Sequence, residues 1–160
     1  MPLPQPHIRH ATAADVPALL DLVRDTGTLD LHTPYTYWAL AHAGLLLVAE
    51  RDGRLVGLLT AMRAPEGSAM LLWQVGLREG ERGTGLSQRL LDAFLDEARA
   101  LGVATVTLTI ADDNLASQGM MQRFAARHDL ELERVGDTGP AATAMALETL
   151  YRIKLTHASV

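Results

Sequence analysis

Fifteen consecutive residues of this 160-residue chain combine glycine, arginine and small hydroxyl groups in a way that could bind phosphate: Trp73-Gln74-Val75-Gly76-Leu77, Arg78-Glu79-Gly80-Glu81 and Arg82-Gly83-Thr84-Gly85-Leu86-Ser87. They lie where a β-rich run gives way to an apolar series at helical spacing. The first turn of a helix leaves N–H groups unpaired, and glycine lets a diphosphate come close to the main chain. The alternative is a tight turn that needs φ > 0, with Arg82 in solvent. Two nucleotide-binding spellings are excluded. A Walker A loop needs Lys and Ser/Thr after its last glycine, but Leu86 and Ser87 follow Gly85. A dinucleotide fingerprint needs a third small residue where Gln88 stands, and it opens a parallel unit, whereas this turn follows an antiparallel meander.

Other chemistry is sparse. There is no cysteine, which removes disulfides, thiolate metal sites and a cysteine nucleophile. His7, His10, His42, His128 and His157 show no metal spacing, and no metal is expected; His32 is better placed. The net charge of −5 and pI near 5.6 argue against a protein that tracks nucleic-acid phosphates. No run of eighteen apolar residues is present and the start lacks an apolar leader, so the expectation is a cytoplasmic protein without a membrane partner. Aromatic residues make up only 4% of the chain, yet Tyr35, Tyr37 and Trp38 fall within four positions.

The elements that must position these groups are readable from periodicity. A short edge strand is expected at 7–10. A helix should begin after Thr12, with Asp15 completing an imperfect capping box, Pro17 in its first turn and Gly27 ending it. A loop at 28–34 leads to a second helix at 35–43. Apolar runs at 45–50 and 55–62, joined through Asp52-Gly53, read as a hairpin, and a third strand covers 69–77. A helix from Leu86 stops at Gly102. A strand at 103–110, a helix at 115–127 and strands at 130–135 and 146–155 complete the chain. The order β-α-α-β-β-β-α-β-α-β-β predicts an α+β fold, a mixed, mostly antiparallel sheet with helices on both faces. Length and 48% hydrophobic content suit one domain over residues 1–160.

Arg82, Gly85 and Ser87 resemble the acyl-CoA loop of the GNAT superfamily of N-acetyltransferases, Arg/Gln-x-x-Gly-x-Gly/Ala, and the element order matches that fold throughout. The resemblance implies acetyl-CoA as co-substrate. It places the diphosphate on Arg82, Gly83, Thr84, Gly85, Leu86 and Ser87, and it puts a strand bulge at Val75, Gly76 and Leu77. N–H groups of that bulge would bind the pantetheine arm and the thioester carbonyl, with Val75 catalytic. Asn114 falls against the pantetheine in such enzymes, or it can simply cap the following helix. A tyrosine that many relatives carry near Met121 to protonate the thiolate has no counterpart here.

Three strings resemble the diaminobutyrate acetyltransferases of ectoine biosynthesis more narrowly. Thr26-Gly27-Thr28-Leu29-Asp30-Leu31-His32-Thr33-Pro34-Tyr35-Thr36-Tyr37 is similar to TGxLDLNxxYxY, Leu72-Trp73-Gln74-Val75 to VWQV, and Glu148-Thr149-Leu150-Tyr151-Arg152-Ile153 to ExLYRI. His32 and Met145 depart from that pattern, which has asparagine and histidine there. The resemblance implies acetyl transfer to the 4-amino group of L-2,4-diaminobutyrate, and homodimers. That substrate carries two ammonium groups and a carboxylate. Asp30 and Glu148 are suitable anions, Tyr35 and Trp73 suitable walls, and Glu148 could also relay the proton. Each acid could equally be a solvated surface carboxylate, and Trp73 a core residue. Two alternatives stay open: another small amine as acceptor, or a silent acyl-CoA-binding regulatory module.

Overall fold

A computed structural model describes residues 2–155; Met1 and residues 156–160, which include His157, lie outside the described residues. The elements are β1 (His7–His10), α1 (Val16–Thr26), α2 (Pro34–Ala43), β2 (Leu45–Arg51), β3 (Arg54–Arg63), β4 (Ala69–Leu77), α3 (Leu86–Ala100), β5 (Thr105–Ile110), α4 (Leu115–Arg127), β6 (Glu133–Asp137) and β7 (Thr149–Lys154). This is the expected order. The strands form one mixed sheet in the order β1-β2-β3-β4-β5-β7-β6. β4 and β5 are parallel, so they need the crossover that α3 supplies. β1 takes the predicted edge.

The chain divides into two compact units, one made of the chain up to Met62 with Trp73–Leu95, the other of Arg63–Leu72 with the chain from Asp96 onward. In the first unit, Asp52 and Gly53 both have positive φ, 51° and 75°, the two left-handed residues that a tight hairpin requires. Asp15 accepts from the Thr12 N–H at 2.8 Å and from both terminal nitrogens of Arg9, which also reaches Glu50. The Arg9 guanidinium holds the Asp15 carboxyl below the usual range, against the opposing effect of burial. Gly27, at φ 65°, ends α1. Leu19, Leu22, Val23, Tyr37, Leu40, Leu46, Val48 and Leu58 form the core between the two first helices and the hairpin.

In the second unit, β5 pairs with β7 from Thr105↔Lys154 to Ile110↔Thr149. Its last two strands begin later than the sequence suggests. Leu130 donates its N–H to the Ala125 carbonyl, so the residues after α4 close that helix and β6 starts at Glu133. The Glu148 N–H is taken by the Thr138 hydroxyl, which ends the ladder there and leaves β7 to begin at Thr149. Val103 likewise donates to the Ala98 carbonyl, so β5 starts at Thr105.

Candidate functional site

β4 pairs with β5 only as far as Leu71↔Thr107, yet it continues to Leu77. On its other edge, Ala64 donates to the Ala69 carbonyl and Arg78 to the Val56 carbonyl. Between those bonds lie eight steps on β3 and nine on β4, so β4 carries one extra residue, a bulge. Gln74 marks the irregularity: its N–H reaches the Thr60 hydroxyl, at 3.0 Å. N–H groups alternate along a strand. With Arg78 addressing β3, the N–H groups of Val75 and Leu77 address the edge that β5 no longer pairs. Gly76 is required here for space: a Cβ would come within 2.4 Å of Leu29 Cδ1 and 3.2 Å of Thr26 Cγ2. A strand that admits a loop so closely must be bare at that point.

The turn after β4 is held mainly from below. Arg78 donates from Nε to the Leu55 carbonyl at 2.7 Å and pairs with Asp25. Glu81 is buried and pairs through both oxygens with Arg51, while its carbonyl accepts from the Thr84 hydroxyl at 2.6 Å. Arg82 gives one N–H to the Thr26 carbonyl, and a guanidinium has four more. Gly83 and Gly85 sit at φ 76° and 84° with nothing near their absent Cβ atoms. Conformation, not crowding, demands glycine at both. α3 then begins at Leu86. The N–H groups of Gly83, Thr84, Gly85, Leu86 and Ser87 donate to no main-chain carbonyl among the described residues. Together with the partial positive charge of a helix N-terminus they form an anion cradle.

The loop between α1 and α2 lies over β4. Thr26 accepts the N–H groups of Thr28 and Leu29 on its hydroxyl, which donates to the Val23 carbonyl. The Asp30 carbonyl accepts from Gln74 Nε2 at 3.1 Å, and the Asp30 side chain is exposed. The His32 ring lies 4.5 Å from that of Trp73, centroid to centroid, and 6.4 Å from that of Tyr37. Trp73 is half-buried and packs against the core. Tyr37 is fully buried, and burial pushes its hydroxyl up from the usual range; the His32 main chain and Gln74 oppose this. Tyr35 belongs to the other stripe of α2. It is 73% exposed and stacks on Trp38, which stacks on His42.

In the second unit, Asn114 caps α4, its Oδ1 accepting the Ser117 N–H at 3.1 Å. The amide nitrogen of the same side chain is left to donate elsewhere. Glu148 is half-buried just before β7, its carbonyl accepting from the Thr138 N–H. Met121 is buried on α4, as packing requires. Among the described residues no group of three or more His, Cys, Asp or Glu is arranged to hold a metal ion, and no helix is long and apolar enough to cross a membrane.

Residues 16–126 match the model of the acetyltransferase (GNAT) family. The chain belongs to that family. L-2,4-Diaminobutyric acid acetyltransferase from Streptomyces avermitilis is 38% identical over 126 residues, which cover 76% of this chain and 70% of that protein. The enzyme of the same name from Streptomyces coelicolor is 38% identical over 153 residues, covering 88% and 87%. Among solved structures, the diaminobutyrate acetyltransferase of Paenibacillus lautus, in complex with L-2,4-diaminobutyric acid and coenzyme A, superposes with a TM-score of 0.83 at 25% identity over 98% of both chains. The GNAT fold expected from the element order is thus the fold observed.

Within the first unit of this GNAT acetyltransferase, the structure brings Asp30 and Trp73 to the bulged strand, and Val75, Gly76 and Leu77 to the approach to the glycine turn. Tyr35 is at the exposed start of α2. Three residues escape a sequence reading. Gln74 and Tyr37 are partners 37 positions apart, and Glu81 reads as a surface acid until Arg51 is seen beneath it. One signal was available for Gln74: it is an amide at an apolar position of β4, in step with Met70 and Leu72.

Proposed function

We propose that this acetyltransferase moves acetyl from acetyl-CoA to the 4-amino group of L-2,4-diaminobutyrate, giving N4-acetyl-L-2,4-diaminobutyrate for ectoine biosynthesis. The observation that carries the reading is the free edge of β4. Val75 and Leu77 offer N–H groups there, beside the Asp30 loop and directly before an anion cradle. The relatives named for this reaction support the choice of acceptor.

Acetyl-CoA supplies the thioester. Arg82 and the N–H groups of Gly83, Thr84, Gly85, Leu86 and Ser87 hold its diphosphate. The Asn114 amide and the main chain at Gly76 and Leu77 hold the pantetheine arm. The Val75 N–H takes the carbonyl oxygen as negative charge develops on it. Asp30 binds an ammonium of the amino acid, Trp73 walls the pocket, and Tyr35 offers its hydroxyl from the first turn of α2.

An alkylammonium with a free pKa of about 10 must lose a proton before it attacks. Glu148 binds the reacting group and relays that proton. A C–N bond then forms as the C–S bond breaks, and the departing thiolate takes a proton from water. The same reading makes residues 1–160 a single acetyltransferase domain, cytoplasmic and homodimeric.

The test is the product. Incubation with acetyl-CoA and diaminobutyrate should release thiol and acetylate N4 alone, read by NMR. Glu148→Gln should lower kcat, with partial recovery as pH rises and more free amine is present. Acetylation of the 2-amino group would overturn the substrate pose. Full activity of Glu148→Gln at neutral pH would remove Glu148 from the mechanism.

A further inference from the structure

Gln74 occupies a position that the fold would fill with a hydrocarbon. Beyond the bulge of β4, Gln74 and Gly76 face the loop between α1 and α2, and Gln74 is only 5% exposed. An unbonded amide there would cost about 1–3 kcal/mol. Here its main-chain N–H and both ends of its side-chain amide are engaged. Its N–H donates to the hydroxyl of Thr60, a fully buried residue; its Nε2 donates to the Asp30 carbonyl at 3.1 Å; its Oε1 accepts from the Tyr37 hydroxyl at 3.4 Å.

The directions form one consistent series. A carbonyl can only accept, so Asp30 turns the amide nitrogen of Gln74 toward itself. The amide oxygen then faces Tyr37, whose hydroxyl must donate to it. One buried amide, itself held by one buried hydroxyl, thus grips the loop between α1 and α2 at Asp30. The main chain of the same Gln74 sits at the bulge, and the next residue is Val75.

We infer that Gln74, with Tyr37, is a specificity-determining positioning residue: it sets the span between Asp30 and the Val75 N–H, and so the length of amine that reaches the thioester. The inference rests on the proposed roles of Asp30 and Val75. Neither Gln74 nor Tyr37 need touch the substrate. A side chain that only stabilised the fold would affect both substrates, and amines of every length, alike.

The experiment compares L-2,4-diaminobutyrate with L-ornithine, one methylene longer, in Gln74→Met, Tyr37→Phe and Asp30→Ala. For Gln74→Met, the KM for diaminobutyrate should rise about tenfold, and the preference in kcat/KM for diaminobutyrate over ornithine should fall by about the same factor. The KM for acetyl-CoA, and the rise in Tm that it produces, should not change. Tyr37→Phe keeps the bond to Asp30 and should shift the same quantities about threefold. Asp30→Ala should raise the KM for diaminobutyrate roughly ten- to a hundredfold. If Asp30→Ala behaves so, but the Gln74 and Tyr37 variants keep their preference or lose activity equally on both amines, the positioning role is overturned and the acceptor site stands. If Asp30→Ala has no effect on the diaminobutyrate KM, the acceptor site and the positioning role both fall.

Discussion

The glycine turn after β4 and the loop between α1 and α2 face the same strand but are built in opposite ways. The turn is fastened by charge: Arg51 on Glu81, Arg78 on Asp25. What it presents is almost entirely main chain, since Gly83 and Gly85 have no side chains and the N–H groups from Gly83 to Ser87 donate to no main-chain carbonyl among the described residues. The loop is fastened by neutral contacts: Gln74 on the Asp30 carbonyl, Tyr37 on Gln74, Leu29 in the space left by Gly76. What it offers is side chain, an exposed carboxylate at Asp30 and an imidazole tilted against Trp73. A backbone cradle recognises any diphosphate and tolerates sequence change. Side chains on a clamped loop recognise one shape of amine. On the proposed function, that difference separates a donor common to the family from an acceptor particular to this enzyme.

The comparison can be broken most directly at Gly85. Glu at that position would take a strained left-handed φ of 84° and place a carboxylate in the cradle. Acetyl-CoA should then give no rise in Tm at concentrations that stabilise the unaltered protein by mass action. A normal rise in the folded variant would put the diphosphate somewhere else.

Glu81 tests whether charge truly holds the turn. Glu81→Gln leaves Arg51 in a largely buried site without its counter-ion, and both side chains are less than one-fifth exposed. About 2–3 kcal/mol of stability should be lost, seen as a lower urea midpoint at unchanged slope. The KM for acetyl-CoA should rise and that for diaminobutyrate should not. The reverse pattern would mean that the ion pair serves the loop.

The smallest effect concerns the neutral clamp. Burial raises the Tyr37 hydroxyl above the ordinary tyrosine range. An acid whose folded pKa is raised contributes stability that is fully present below its unfolded value, about 10, and is lost as pH rises through the folded one. The clamp should therefore be indifferent to pH between about 6 and 9 and yield only in alkali. Tyr37→Phe should flatten the alkaline limb of the stability curve by about 1 kcal/mol or less. An unaltered limb would show that the hydroxyl ionises freely in the folded protein.

The glycine turn was legible in the sequence because its chemistry is local. Two glycines, an arginine and the start of an amphipathic helix sit within six residues, and the left-handed turn at Gly83 and Gly85 is a local demand of the main chain. The hairpin at Asp52-Gly53 and the caps at Asp15 and Asn114 were legible for the same reason. Strand starts near Leu130 and Ala146 were placed early, because apolar residues there finish a helix or precede a side-chain hydrogen bond that no period records.

By itself, the order of residues determined the succession of elements, the glycine turn and the candidate carboxylates, since each depends on spacing along the chain. Only the tertiary structure decided what stands behind them. It showed that Gly76 is glycine to admit Leu29, that Glu81 is pinned by Arg51 thirty residues away, and that Gln74 joins Tyr37 to the Asp30 loop. It also separated Tyr35 from Tyr37, two residues apart in sequence and on opposite stripes of one helix. These depend on which distant groups meet inside a core. A buried polar group must find its partner in space, whatever its distance in sequence.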